Sequence, residues 1–378
     1  MSFRLPPGEA GPRAGAAADR NVDPVQEPTP VEQLDALWSQ EGRLATLAAV
    51  MMAYARTLGP VGHGSTEPVT PDTRDGRHRR EDSLSDNREN HPDLVHVRAD
   101  DDDDAASILA CAEALEAALC SEDFDFELAL AELSTRRAHL ILLEQAGMHV
   151  AEGVDTGLVT LLDDPSLYDT ALMLICQDSL GLLVAEWGRV TEGLLTLVEV
   201  HQLDAAGLAL AQHLQAALQG QMVLSATRDA LPCQMPAGVV SAGALAEELG
   251  LQVPDLPWSV DPWPLTDIAT ALASAGPMLN ALGGGDGNGA MLRQAVENLF
   301  DATAKGEGAP FGRAVEEGLG QSFAVALERV LAVNKVLDRW EKPAFVPGAL
   351  TAEQHGLVQG ALARARALLE LVGEGEAG

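Results

Sequence analysis

Aromatic side chains are scarce in this 378-residue chain, where Phe, Trp and Tyr together make up 4%. Sandwiches and barrels lean on aromatic and β-branched residues, so the scarcity argues against an all-β design. Basic residues are scarce as well. The chain has 24 Lys and Arg against 57 Asp and Glu, a formal net charge of −33. Such a field repels nucleic-acid phosphates and anionic membrane surfaces, and neither is expected as a partner. A small carboxylate ligand stays open, because nearby arginines act within the screening length and distant carboxylates do not.

Cysteine is rare. Cys111, Cys120, Cys176 and Cys233 are scattered with no CxxC pair and read as buried free thiols. No HExxH, no Cys/His set at metal-ligand spacing and no Ser-His-Asp spacing occurs, so no metal and no cofactor is expected. No apolar h-region follows the first arginines. Glu186, Arg189 and Glu192 interrupt the longest apolar run before it reaches the ~18 residues of a membrane span. A soluble cytoplasmic protein is expected.

What the chain has in quantity is Ala, Leu and Val, within a hydrophobic share of 47%. Ala and Leu are strong helix formers and pack helices closely, which predicts an all-α fold built on a helical bundle. Residues 1–30 are rich in Pro, Gly and Ala and read as a disordered tail. Residues 31–59 read as one amphipathic helix, with Leu34, Leu37, Trp38, Leu44, Leu47 and Met51 at three- and four-residue spacing. An N-terminal helical domain would then cover 31–165, interrupted by a charged, disordered insertion at 61–104. That insertion holds the basic cluster Arg74 to Arg80, flanked by acids, and the acidic run Asp100 to Asp104. The run lacks the Gly and the closing Glu of a calcium loop and reads as solvated. One or two helices follow in 124–147, where Arg136 and Arg137 read as solvated or ion-paired side chains on a helix.

A central bundle is expected over 166–282. The segment 166–202 predicts a helix of ten turns, apolar on most of its circumference. Helical character continues over 203–231, with Gly207 and Gly220 as weak points and Pro232 as the end. A short helix at 241–249 closes at Gly250, and another begins near Pro262 and runs to about Leu282. Trp258 and Trp263 are expected to anchor the turn between them. The glycine-rich stretch 283–289 follows no strand and reads as a linker. Helices at 290–304, 311–338 and 351–373 make up a C-terminal helical region, 283–378.

Three segments together resemble a known family. They are LDALWSQEGRLATLAAVMMAYARTLG, LYDTALMLICQDSLGLLVAEWGRV and ALAEELGLQVPDLPW with the helix PLTDIATALASAG behind it. In this order they are similar to the 3-carboxy-cis,cis-muconate cycloisomerases of the fumarase/aspartase superfamily. The resemblance implies a three-domain, all-helical protomer with a long central bundle and smaller helical flanking regions. It implies a homo-oligomer, a tetramer in the family arrangement, with active sites where protomers meet. The implied chemistry is metal-free acid–base addition or elimination beside a carboxylate, with a catalytic serine in a GSSxMPxKxNP loop.

The chain departs from that pattern where the chemistry sits. No SSxMPxKxNP occurs, and Lys305 has no Met-Pro before it. Ahead of DTAL the chain reads VTLLDDPSLY in place of a segment like HWGATSQD. After PW it reads SVDPWPL, which supplies Asp261 and no arginine. A shadow of the family's RTHGQ remains in Glu199-Val200-His201-Gln202, which makes His201 the candidate acid–base residue and Gln202 a candidate substrate contact. His149 is a second candidate contact, while His139 and His213 read as structural. The expectation is a divergent, catalytically degenerate scaffold. The alternatives are an active cycloisomerase or lyase on a di- or tricarboxylate using His201, and a helical adaptor unrelated to the family.

Overall fold

The computed structural model describes residues 27–58, 117, 121, 124–133, 136–145, 166–202, 205–233, 242–253, 263–283, 313–339 and 350–375. Residues 1–26 of the expected tail, the 61–104 insertion, residues 284–289 of the linker, the 290–304 helix, Cys111, Cys120, His149 and Trp258 lie outside these residues, while the last residues of the expected tail cap and begin a helix and Gly283 ends one. Among the described residues the regular structure is helical apart from one isolated bridge, Pro232 to Gln252.

α1 (Pro30–Trp38) opens on a capping box. Thr29 Oγ1 accepts from the Glu32 N–H at 3.3 Å, and Glu32 Oε2 accepts from the Thr29 N–H at 2.8 Å. The bonds from Thr29 hold the Glu32 carboxyl below its ordinary range. The expected single helix over 31–59 is in fact two, because Ser39 is extended (φ −62°, ψ 162°) and starts α2 (Gln40–Leu58). Ser39 Oγ donates to Ala36 O and accepts from the Gly42 N–H, each at 2.9 Å, so the hydroxyl replaces bonds the helix gives up. The kink brings the two helices together at Gly42, where a Cβ would lie 2.0 Å from Ala36 O. Hydrophobic spacing runs across this break unchanged, which is why periodicity alone joins the two pieces.

α3 (Phe126–Leu133) and α4 (Ala138–Gln145) follow. Between them Arg136 has φ +57°, so it sits in a left-handed turn and not on a helix as its neighbours suggested. α5 (Ser166–His201) is one unbroken helix of 36 residues, about 54 Å long. α6 (Ala205–Asp229) turns back along it. The reversal is tight, since a Cβ on Gly207 would lie 2.0 Å from His201 O. Gly220 is no weak point. A Cβ there would come within 2.6 Å of Trp187 Cζ2, so the missing side chain makes the seat for the indole. Trp187 Nε1 donates to Ala217 O at 2.8 Å, and Thr191 Oγ1 donates to the buried Gln221 Oε1 at 3.0 Å beside it. By length and composition α5 could cross a membrane, but 61% of its most apolar window is buried within the protein.

α7 (Ala242–Leu249) ends at Gly250, whose φ of +68° is the left-handed cap that glycine favours. The chain beyond it is clamped to the end of α6. Gln252 N–H donates to Leu231 O and Cys233 N–H donates to Gln252 O, at 2.8 and 2.9 Å. α8 (Trp263–Gly283), α9 (Arg313–Asp338) and α10 (Ala352–Gly375) join α5 and α6 in one buried cluster that includes Trp187, Leu214, Leu272, Phe323 and Leu362. The last two helices therefore share the core of the central ones. α1 docks on this cluster through Trp38, whose Nε1 donates to Ser179 Oγ at 3.0 Å and whose ring stacks at 5.9 Å on Phe323. A second cluster, with Met51, Tyr54, Leu142, Leu143, Leu167 and Leu245, joins α2, α3, α4 and α7 to the head of α5.

Candidate functional site

The head of α5 gathers a set of contacting polar side chains. Tyr168 and Asp169 lie in its first turn, where the helix dipole favours a carboxylate, and both are buried. The left-handed turn before α4 aims Arg136 at them. Arg136 Nη1 lies 3.3 Å from Asp169 Oδ1, its Nη2 lies 3.8 Å from Glu316 Oε1, and its Cζ sits 5.6 Å from the centre of the Tyr168 ring. Glu316, in the first turn of α9, also pairs with Arg43 of α2. His139 is buried in α4, with Nδ1 3.1 Å from Tyr168 Oη, while its backbone N–H donates to the same oxygen at 3.3 Å. The two rings meet edge to face at 82°.

Among the described residues, two arginines meet two carboxylates in this cluster. Arg43 and Arg136 carry two positive charges, and Asp169 and Glu316 carry two negative ones. The arrangement ties α2, the α3–α4 turn, α5 and α9 together at one end of the bundle.

The residues singled out from the sequence sit elsewhere. His201 is the last residue of α5, 32 residues beyond Asp169 and so about 48 Å away. It is 7% exposed. Gln202 Oε1 accepts from Gln359 Nε2 of α10 at 3.1 Å, and nearby Glu199 pairs with Arg366 at 2.6 Å. His201 and Gln202 are thus neighbours, but the structure does not bring the Asp169 cluster to them. Sequence reasoning passed over Tyr168 and Asp169, although they stand in the quoted LYDTAL segment. It had no signal for Arg43 and Glu316, which are 273 positions apart.

Cysteine offers no nucleophile in the described region. Cys176 and Cys233 are free and buried. Burial pushes the Cys176 thiol far up and the Cys233 thiol up to about 11, so the thiolate is scarce at neutral pH. Among the described residues no group of three or more His, Cys, Asp or Glu is placed to hold a metal ion.

No family model matches the sequence, and no curated protein is similar to it. Solved structures are similar in shape. A 3-carboxy-cis,cis-muconate lactonizing enzyme from Pseudomonas putida superposes with a TM-score of 0.54 and 18% identity, covering 90% of this chain and 84% of that one. A fumarate lyase from Mesorhizobium sp. BNC1 gives 0.57 and 16%, covering 84% and 77%. A β-carboxy-cis,cis-muconate cycloisomerase from Acinetobacter calcoaceticus sp. ADP1 gives 0.50 and 14%, covering 80% and 75%. The long helical bundle described above is therefore the all-α fold of the fumarase/aspartase-type lyases.

Proposed function

We propose that this chain is a catalytically degenerate, 3-carboxy-cis,cis-muconate cycloisomerase-like scaffold, cytoplasmic and assembled as a homo-oligomer. One observation carries the reading. The arginines at the head of α5 are already matched by Asp169 and Glu316. Lyase chemistry beside a carboxylate needs donors aimed at the charge that develops in the transition state. Donors occupied by internal carboxylates in the ground state do not supply that stabilisation. The sequence adds that no serine loop of the SSxMPxKxNP kind is present. Binding and assembly are then what the frame serves. The test is turnover of 3-carboxy-cis,cis-muconate, followed by ultraviolet absorbance on purified protein, with none expected above the uncatalysed rate.

A second reading rests on His201, buried where α5 passes into α6 and beside Gln202, which contacts α10. In that reading His201 is the acid–base residue of an active cycloisomerase or lyase on a di- or tricarboxylate. Turnover that disappears in His201→Ala, with the helical content kept, would establish it.

A further inference from the structure

We propose that α1 is a detachable strap, which swings as a unit about Ser39, leaves α5 and α9, and uncovers the seat of Trp38. The observation is a contrast across Ser39. On the α2 side the chain is anchored. Leu44, Leu47, Met51 and Tyr54 are buried, and Arg43 pairs with Glu316 of α9. On the α1 side Leu34 alone is fully buried. Val31 and Trp38 are partly buried, and Glu32, Asp35 and Ala36 are exposed. Among the described residues a single side-chain hydrogen bond, from Trp38 Nε1 to Ser179 Oγ, joins α1 to the bundle, and no ion pair does.

The strap also closes its own ends. Thr29 and Glu32 cap its first turn, Pro30 opens it, and Gln33 Nε2 donates to Pro28 O at 2.7 Å. At the other end the Ser39 hydroxyl bonds Ala36 O and the Gly42 N–H. None of these bonds reaches the bundle, so undocking leaves them intact. What undocking bares is a slot for an amphipathic helix, which α1 enters with Val31, Leu34 and Trp38 at i, i+3 and i+7. The slot is lined by Ser179 and Phe323, both buried, and by Gly320, where a Cβ would lie 3.0 Å from Trp38 Cε3. α1 is the slot's occupant in cis, held there by a small apolar face. Segments with few buried contacts open at a free energy below that of global unfolding.

Thiol labelling of Ser179→Cys in the full chain tests this, with the labelled residue identified by mass spectrometry. The urea dependence of an opening scales with the surface it exposes. Labelling at position 179 is expected to show less than half the urea dependence of global unfolding followed by circular dichroism. Trp38→Ala in the same background should raise the labelling rate at least tenfold with unchanged helical circular dichroism. Hydrogen exchange of the unsubstituted chain reads the same opening and decides the matter if Ser179→Cys does not fold. There the backbone amides of 34–38 should exchange at least tenfold faster than those of 50–54, with the same weak urea dependence. Labelling at 179 that carries the full urea dependence of global unfolding, or that Trp38→Ala leaves unchanged, overturns the proposal. So does exchange of 34–38 in step with 50–54.

Discussion

Trp187→Ala lowers the unfolding free energy by about 3–5 kcal/mol, the largest loss expected of any single truncation in the bundle. Trp187 is 1% exposed and is the largest fully buried side chain. Its removal deletes the contact that locks α5 to α6 and the bond from its Nε1 to Ala217 O. The cavity cannot collapse easily, because the wall facing the indole is Gly220, which has no side chain to move in. Urea titration followed by circular dichroism measures the loss. The same geometry predicts a reversal of sign at Gly220. In the wild type, Gly220→Ala forces a methyl to within 2.6 Å of the ring and destabilises. In the Trp187→Ala background the methyl enters an empty space, and the substitution becomes neutral or stabilising. Additive effects of the two substitutions would show that ring and glycine do not face each other as described.

Arg136→Ala is the second large effect, at about 2–3 kcal/mol. Removing one partner of a fully buried ion pair costs about 3–5 kcal/mol, because the other charge stays behind without its mate. Asp169 is 6% exposed, but the Arg136 side chain is 23% exposed, so solvent screens part of the loss. Asp169→Asn removes the stranded charge, and the double variant should recover at least 1 kcal/mol of the summed single losses in a double-mutant cycle. Backbone and side chain can be separated at this position. Arg136 has φ +57°, where a residue with a Cβ is strained by about 1–2 kcal/mol. Arg136→Gly should therefore be less damaging than Arg136→Ala, the reverse of the order found on a helix. A glycine variant that is the worse of the two would contradict the left-handed turn.

The parts of the fold that were legible in the sequence are those where one local signal dominates. α5 is apolar on most sides over 36 residues, and no glycine, proline or cap interrupts its pattern enough to end it. Gly250 announced the end of α7 because a left-handed cap selects glycine. The misses arise where a contact distant in sequence, or one side chain, decides. Ser39 breaks the first helix with hydroxyl bonds that leave the hydrophobic spacing intact. Gly220 looked like a weakness because the residue that needs it, Trp187, lies on another helix. Arg136 looked helical because its neighbours are, and the turn that reorients it is visible only in φ.

The candidate site was less legible than the fold for the same reason. His201 and Gln202 were chosen by a short likeness in a helical segment, and such a likeness says nothing of which end of a 36-residue helix carries the polar cluster. Arg136 and Arg137 read from the sequence as solvated or ion-paired, and Arg136 is ion-paired. What could not be read was that its partners come from the heads of two helices, α5 and α9, and that Arg43 of α2 shares one of them. The pairing belongs to that assembled set and to no segment within it.

The most direct test of the central claim is the steady-state consumption of 3-carboxy-cis,cis-muconate by the purified chain. With the head of α5 filled by its own ion pairs and no serine loop in the sequence, the absorbance trace is expected to run parallel to the buffer control. Enzyme-concentration-dependent loss of the substrate band, in protein free of any second lyase, would contradict the account.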